Sequence, residues 1–260
     1  MSDQALDFCV FEQPLNERIR ACLRLEHLFA RINHHLERQS PLDSLNVILL
    51  LIEAADVLSR IDIKRELIKE IERQQNQLMA VADSPGVDSA KLKNLLAEQE
   101  RLIRALYDNA SQPGAHLKNN ELLNAIRQRA SIPGALCEFD IPGLHYWMGQ
   151  SFEQRQADIQ HWLAPFTDIR TANEMVISLI RDSVDPIWVT AREGFLQQSI
   201  DYGAPYQLLR LILEPGTPGY PEISAGKHRF SVRFMSHDMQ ESLPKQISED
   251  IEFRLALCRL

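Results

Sequence analysis

Cysteine is scarce in this 260-residue chain and never clustered. Cys9, Cys22, Cys137 and Cys258 lie far apart with no C-x-x-C pair, which argues against a zinc knuckle, a dithiol redox motif or a disulfide framework. They read as small buried hydrophobes. Long apolar runs are missing too. The longest without a charge, Val47 to Ile52, is far short of the roughly 20 residues that a bilayer-spanning helix requires. Asp3, Asp7, Glu12 and Glu17 punctuate the N-terminal region, with no apolar stretch behind a basic end, so neither a signal nor a transit peptide is read there. A cytosolic protein without direct membrane insertion is expected.

Positive charge is in deficit. A formal net charge of −8 disfavours unaided nucleic-acid binding, which needs a concentrated basic footprint, so any basic site must be local. Catalytic signatures are absent as well: there is no G-x-S-x-G elbow, no Walker or dinucleotide glycine pattern and no H-E-x-x-H. His34 and His35 would point about 100° apart on a helix, a poor arrangement for two ligands of one metal. The pairs Asp182 with Asp185 and Glu249 with Asp250 lie near element boundaries, where carboxylates cap helices and turns. No catalytic residue, metal or cofactor is expected. There is no internal repeat and no low-complexity tract.

What is present is helical periodicity, from about residue 15 to residue 198. In Leu15 to Arg38, the residues Ala21, Cys22, Leu25, Leu28, Phe29, Ile32 and Leu36 fall on one face, predicting a long amphipathic helix. Asp43 to Arg60 reads as a nearly all-apolar helix, capped by Asp43 or Ser44 and central to a bundle. Asp62 to Val81 predicts a charged helix. SPGVDS is a turn that recaps the next helix at Asp88 or Ser89, and that helix runs to Tyr107. After the polar loop DNASQPGAHLKNN, a helix over Glu121 to Ala130 is stopped by SIPG.

The pattern then changes. Gln207 to Leu213, His228 to Met235 and Ile251 to Cys258 are β-type runs, separated by loops rich in proline and glycine, and Phe230, Val232 and Phe234 alternate in RFSVRFM. The alternating run Leu6 to Phe11 and the short LCEFDI can complete a sheet. The expectation is an α+β protein: a mainly α-helical bundle domain over 12–200, with a short strand near 136–141, and a small antiparallel β domain formed from both chain termini, 1–11 plus 201–260.

The positive functional signal is basic. Arg20, Arg24, His27 and Arg31 recur at i, i+4, i+7 and i+11, within about 60° of arc and roughly 100° or more from the centre of the apolar face. Either each arginine is neutralised by a carboxylate elsewhere in the fold, or the stripe awaits an acidic partner. Arg127 and Arg129 end a helix, where its dipole favours cations. His145 stands beside Tyr146 and Trp147. Lys227, His228, Arg229 and Arg233 belong to a hairpin whose alternation leaves Arg229, Ser231 and Arg233 on the outer face.

The segment RQRASIPGALCEFDIPGLHYW (Arg127 to Trp147), with FEQPLNERIRACLRLEHL, KRELIKEIERQQ and YPEISAGKHRFSVRFM, resembles the ZapD family of bacterial cell-division proteins. RQRxSIPG followed by FDIPxLHxW is its most specific motif, and the resemblance runs from about Phe8 to the last strand. It implies a homodimer of subunits with a helical and a β domain, recruited to the midcell division ring. Such a dimer binds the short C-terminal tail of FtsZ through basic surface residues and so bridges two filaments. By position, Arg20, Arg24 and His145 are the tail-pocket candidates; Arg24 in LRLEHL and His145 in PGLHYW match the pattern directly. Arg60, Arg229 and Arg233 match further basic positions, and Arg127 and Lys118 belong to the same candidate set. Where relatives carry a basic residue early in the helix leading to RQR, this chain has Asn120 and Glu121. Two other readings come from the residues alone: a hydrolase-type enzyme using His145 with Asp140 or Glu138 as an acid and base pair, and a nucleic-acid-binding protein using the stripe from Arg20 to Arg31.

Overall fold

A computed structural model describes residues 9–60, 62–82, 84–108, 114–201, 203, 206–236 and 243–260. Its internal contacts separate two units, Ala21–Val176 and the described residues up to Arg20 together with Ile177–Leu260. The helices are α1 (Glu17–Leu36), α2 (Pro41–Arg60), α3 (Ile63–Ala80), α4 (Ser89–Asp108), α5 (Ala115–Lys118), α6 (Glu121–Arg129), α7 (Pro142–Met148), α8 (Phe152–Leu163) and α9 (Thr167–Arg181). The strands are β1 (Cys9–Pro14), β2 (Ile187–Ala191), β3 (Phe195–Ser199), β4 (Leu208–Leu213), β5 (Tyr220–Ala225), β6 (Arg229–Ser236), β7 (Lys245–Gln246) and β8 (Ile251–Cys258). This is the expected α+β class. Of the anticipated N-terminal strand, Leu6 to Phe8 lie outside the described residues.

In the helical unit the apolar stripe of α1 is buried from Ala21 to Ile32, as its period requires. Phe29 meets Phe166 edge-on with centroids 6.3 Å apart. The amide of Asn173, on α9, donates to the Cys22 carbonyl at 3.0 Å. Helix α2 is central: Val47, Ile48, Leu50, Leu51 and Ala54 are buried, and α3, α6, α7 and α8 pack against it. Its cap differs from expectation. Ser40 Oγ accepts the Leu42 N–H at 3.3 Å and Pro41 takes the first helical position, ahead of Asp43. Asp43 and Ser44 are engaged elsewhere, Asp43 with His35 at 2.6 Å and Ser44 with Arg155 at 3.1 Å. Asp62 and Asp88 do cap α3 and α4, accepting from Arg65 N at 3.2 Å and Lys91 N at 3.1 Å.

The strand expected near 136–141 does not form. Residues 138–140 make a turn, with Asp140 N and Ile141 N both bonded to the Cys137 carbonyl at 3.1 Å. The alternation in LCEFDI is too short to prevail over the adjoining proline: Pro142 presets φ for the first turn of α7, so IPG opens a helix. Cys22 and Cys258 are buried as expected, but Cys9 and Cys137 are exposed, one on the edge strand β1 and one in this turn.

In the β unit, one four-stranded sheet has the order β1-β4-β8-β2, so both chain ends lie in it; a second has the order β3-β6-β5 with β7 on β6. All pairings are antiparallel. Leu209, Leu211, Phe253 and Leu255 of the first sheet and Phe230, Val232 and Phe234 of the second share one buried core, Phe234 and Phe253 meeting at 5.2 Å. Burial of each such side chain stabilises by about 1.5–3 kcal/mol.

The unit starts earlier than residue 201. Strands β2 and β3, in a region where helical period was read, are joined by a tight turn with Glu193 at φ 48° and Gly194 at φ 68°. Positive φ at both central positions is the turn that suits strand twist. A Cβ on Gly194 would also sit 2.3 Å from the Ile247 carbonyl oxygen.

Edge strand β1 is tied down by charge. Glu12 accepts from Arg181 Nε and Nη2 at 2.8 and 2.7 Å and from Arg210 Nε at 2.9 Å, all three side chains at most a quarter exposed. Glu12→Ala should lower stability by about 2–3 kcal/mol, because it strands two half-buried guanidinium groups. A urea midpoint within error of wild type would refute this.

Candidate functional site

The candidate residues fall into three groups. The first lies on α1, whose start is set by Asn16: its Oδ1 accepts the Ile19 N–H at 3.0 Å, so Arg20 and Arg24 occupy the opening turns. Arg20 Nε donates to Glu17 Oε2 at 3.1 Å, an ion pair open to solvent and hence weak. Arg24, His27 and Arg31 are exposed and have no hydrogen-bond or ion-pair partner among the described residues. The stripe is thus neutralised at its first position and left unpaired at the next three.

The second group gathers around α2. Helix α5 packs on α6, and α6 and α7 pack on α2 and on each other. Lys118, the last residue of α5, is exposed and unpaired among the described residues. Arg127 Nη2 donates to Asp56 Oδ1 on α2, so this candidate already has a carboxylate and clamps two helices. Arg60 ends α2 one turn after Asp56; its side chain lies outside the described residues. Asn120 Oδ1 accepts the Leu123 N–H at 3.0 Å and Glu121 opens the first turn, where the helix dipole favours an acid. The departure from the family pattern is therefore a helix cap.

His145 lies on α7, which is anchored by Trp147: its Nε1 donates to Asp158 Oδ2 at 2.9 Å and its ring meets Trp162 at 5.7 Å. The imidazole itself points outward, 70% exposed, with Glu138 Oε2 3.9 Å from Nδ1. In the same stretch of chain the sequence reading missed three exposed apolar side chains: Ile132, Phe139 and Tyr146 are 53, 79 and 74% exposed. The aromatics of FDIPGLHYW were their only signal. Leu136, in the same connection, has φ 137°, a conformation that L-residues rarely adopt.

The third group is in the β unit. On β6, Phe230, Val232 and Phe234 point inward, and Arg229 and Arg233 are exposed and unpaired among the described residues, as the alternation predicts.

These surfaces offer little for bond-making. His145 and Glu138 are both about 70% exposed, whereas an acid and base pair gains its strength in a site shielded from water. Burial pushes the Cys258 thiol up, the reverse of an activated nucleophile. Among the described residues, no group of three His, Cys, Asp or Glu side chains is placed to hold a metal ion, and no helix is long and apolar enough to cross a membrane. What the geometry provides is unpaired cationic and aromatic groups on the rigid faces of packed helices, the features of a docking surface.

Comparison with known proteins agrees in kind. The family model described as "ZapD: Cell division protein" matches residues 23–233. The chain is 40% identical over 252 residues to the cell division protein ZapD of Aromatoleum aromaticum, covering 96% of this chain and 97% of that protein. It is 37% identical over 251 residues to the ZapD of Methylococcus capsulatus, covering 96% and 98%. The ZapD of Coxiella burnetii is 37% identical over 251 residues, covering 96% and 97%. The chain belongs to the ZapD family of cell division proteins.

Proposed function

We infer that the protein acts as a homodimer that binds the C-terminal tail of FtsZ and cross-links FtsZ filaments into bundles, promoting assembly of the division ring at midcell. The observation that carries the reading is Arg24, an exposed arginine with no internal partner among the described residues, on the helix where the family pattern has its basic positions. Arg20 and His145 are the other tail contacts, and Lys118, Arg60, Arg229 and Arg233 the second rank. Arg127 is the least available of the set, because Asp56 holds it. No catalysis is part of this function.

The physics is that of a charged chain ordering on a surface. A flexible acidic and apolar tail loses conformational entropy on docking, so affinity per site is weak and screened by salt. An arginine fork takes a carboxylate bidentately while its flat face lies on apolar surface, and Phe139 and Tyr146 supply such surface near His145. Two sites per dimer turn weak contacts into firm bridging, because the second tail binds at high local concentration inside a bundle.

Fluorescence anisotropy of a labelled FtsZ tail peptide tests this directly. Saturable binding is expected, weakening roughly tenfold between low and physiological salt as exposed charge pairs are screened. Absence of binding at low salt would mean that the family's fold is present here without that partner.

A further inference from the structure

The row of basic residues on α1 that lack a partner among the described residues extends past those that the family pattern marks. Counted at 100° per residue, His34 falls on the same face as Arg24, His27 and Arg31, so the row spans ten residues, about 15 Å of helix. All four side chains are at least partly open to solvent. Among the described residues no acid pairs with the row. Glu26, the carboxylate of α1 beyond its first turn, lies about 120° from the centre of this face, and Glu37 follows the last residue of the helix. Asp43, at the start of α2, is bonded to His35 at 2.6 Å. Helix α9 packs on another side of α1, where Asn173 reaches the Cys22 carbonyl and Arg170 donates to Asn33 at 3.0 Å. Arg24 and Arg31, two turns apart, thus present two like charges on one face, and an anion lying between them would satisfy both.

We propose that Arg24, His27, Arg31 and His34 form a continuous track on which an acidic segment lies in extended conformation along α1. The FtsZ tail is its occupant if the proposed function holds; the track itself does not depend on that identity. The dimensions fit such a segment. Arg24 and Arg31 are seven residues apart, about 10.5 Å along the axis. That is three residues of a polyproline II chain at about 3.1 Å each, a conformation whose side chains return to the same face every third position, so acidic side chains three positions apart in the partner meet both arginines. A nucleic acid fits less well. The protein carries a net −8, and the row holds two arginines, short of the concentrated basic footprint that a phosphate backbone needs.

The test uses the whole protein, a labelled octaglutamate and the labelled FtsZ tail peptide, read by anisotropy at low salt. Arg31→Glu should weaken octaglutamate about tenfold, whereas Lys93→Glu, an equal change of total charge on exposed α4, should shift it less than twofold. Arg31→Gln, a milder change at the same exposed position, should weaken it about threefold and guards against misfolding of the reversed variant. If octaglutamate responds in this way and the tail peptide does not bind, the track stands and the FtsZ reading falls. If the tail binds but neither peptide is weakened by Arg31→Glu, the track is overturned and the FtsZ reading survives. No octaglutamate binding, equal effects of Arg31→Glu and Lys93→Glu, or tighter binding of a single-stranded 12-mer DNA each overturn the track.

Discussion

Arg24→Glu should abolish co-sedimentation with FtsZ filaments while leaving fold and oligomeric state unchanged. Arg24 is exposed and makes no internal bond among the described residues, so its reversal removes nothing that holds α1 in place. Arginine and glutamate have similar helix propensities, so the backbone is indifferent. The whole effect then falls on the partner. Loss of a charge-assisted contact, worth about 1.5–3 kcal/mol, together with new repulsion lowers affinity at least about a hundredfold per site. A bundle that depends on two weak sites fails sooner than either site alone. Pelleting, circular dichroism and size exclusion on one preparation decide it. A folded variant that pellets like wild type would remove Arg24 from the site. Arg20→Glu should have the smaller effect, because Glu17 already spends part of that charge.

Much of the helical unit was legible because its elements are long and their periods unbroken. The stripe of α1, the apolar α2 and the aspartate cap of α4 each rest on local chemistry that tertiary context did not override. Misreadings came where elements are short. Strands β2 and β3 have five residues each, and their turn uses Glu193-Gly194 rather than Asn-Gly, so neither length nor turn residue stood out against a helical background. LCEFDI erred the other way: six alternating residues looked like a strand, but a strand needs a partner to take its backbone bonds, and here a turn takes them.

The site was legible as charge and illegible as pairing. Spacing placed Arg20, Arg24, His27 and Arg31 on one face, and the structure agrees that the last three are exposed. The i,i+3 spacing of Glu17 and Arg20 allowed their pairing to be read, but no periodicity argument could tell that Arg127 finds Asp56 seventy-one residues away, since that pairing is made by packing of α6 on α2. The exposure of Ile132, Phe139 and Tyr146 was hidden for the opposite reason. Large apolar residues are assigned to a core by default, and only the solvent exposure of these three sets them apart.

Arg155→Met should destabilise the protein by about 3–4 kcal/mol and weaken tail binding as a consequence. Arg155 is 4% exposed, and its guanidinium meets no carboxylate in its hydrogen bonds. It donates instead to Ser44 Oγ at 3.1 Å, to the Met148 carbonyl at 3.3 Å, to the Gln150 carbonyl, and to the Gln39 carbonyl at 2.7 Å. Two of these acceptors close the C-terminal end of α7, where unsatisfied carbonyls and the helix dipole favour a cation. The other two belong to the α1–α2 connection and the first turn of α2, so one side chain on α8 pins three segments. Methionine keeps the length and apolar stem but leaves those acceptors to find water in a closed space. Lysine restores the charge with a single ammonium that cannot reach all four, and should recover about half of the loss. Because α7 carries His145, loosening its end spreads the orientations of that side chain, so affinity for the tail should fall even at temperatures where the variant is folded. Urea unfolding of wild type, Arg155→Met and Arg155→Lys, with anisotropy on the same samples, separates the two effects. A methionine variant within about 1 kcal/mol of wild type, the error usual for such extrapolations, would show that the four bonds are dispensable.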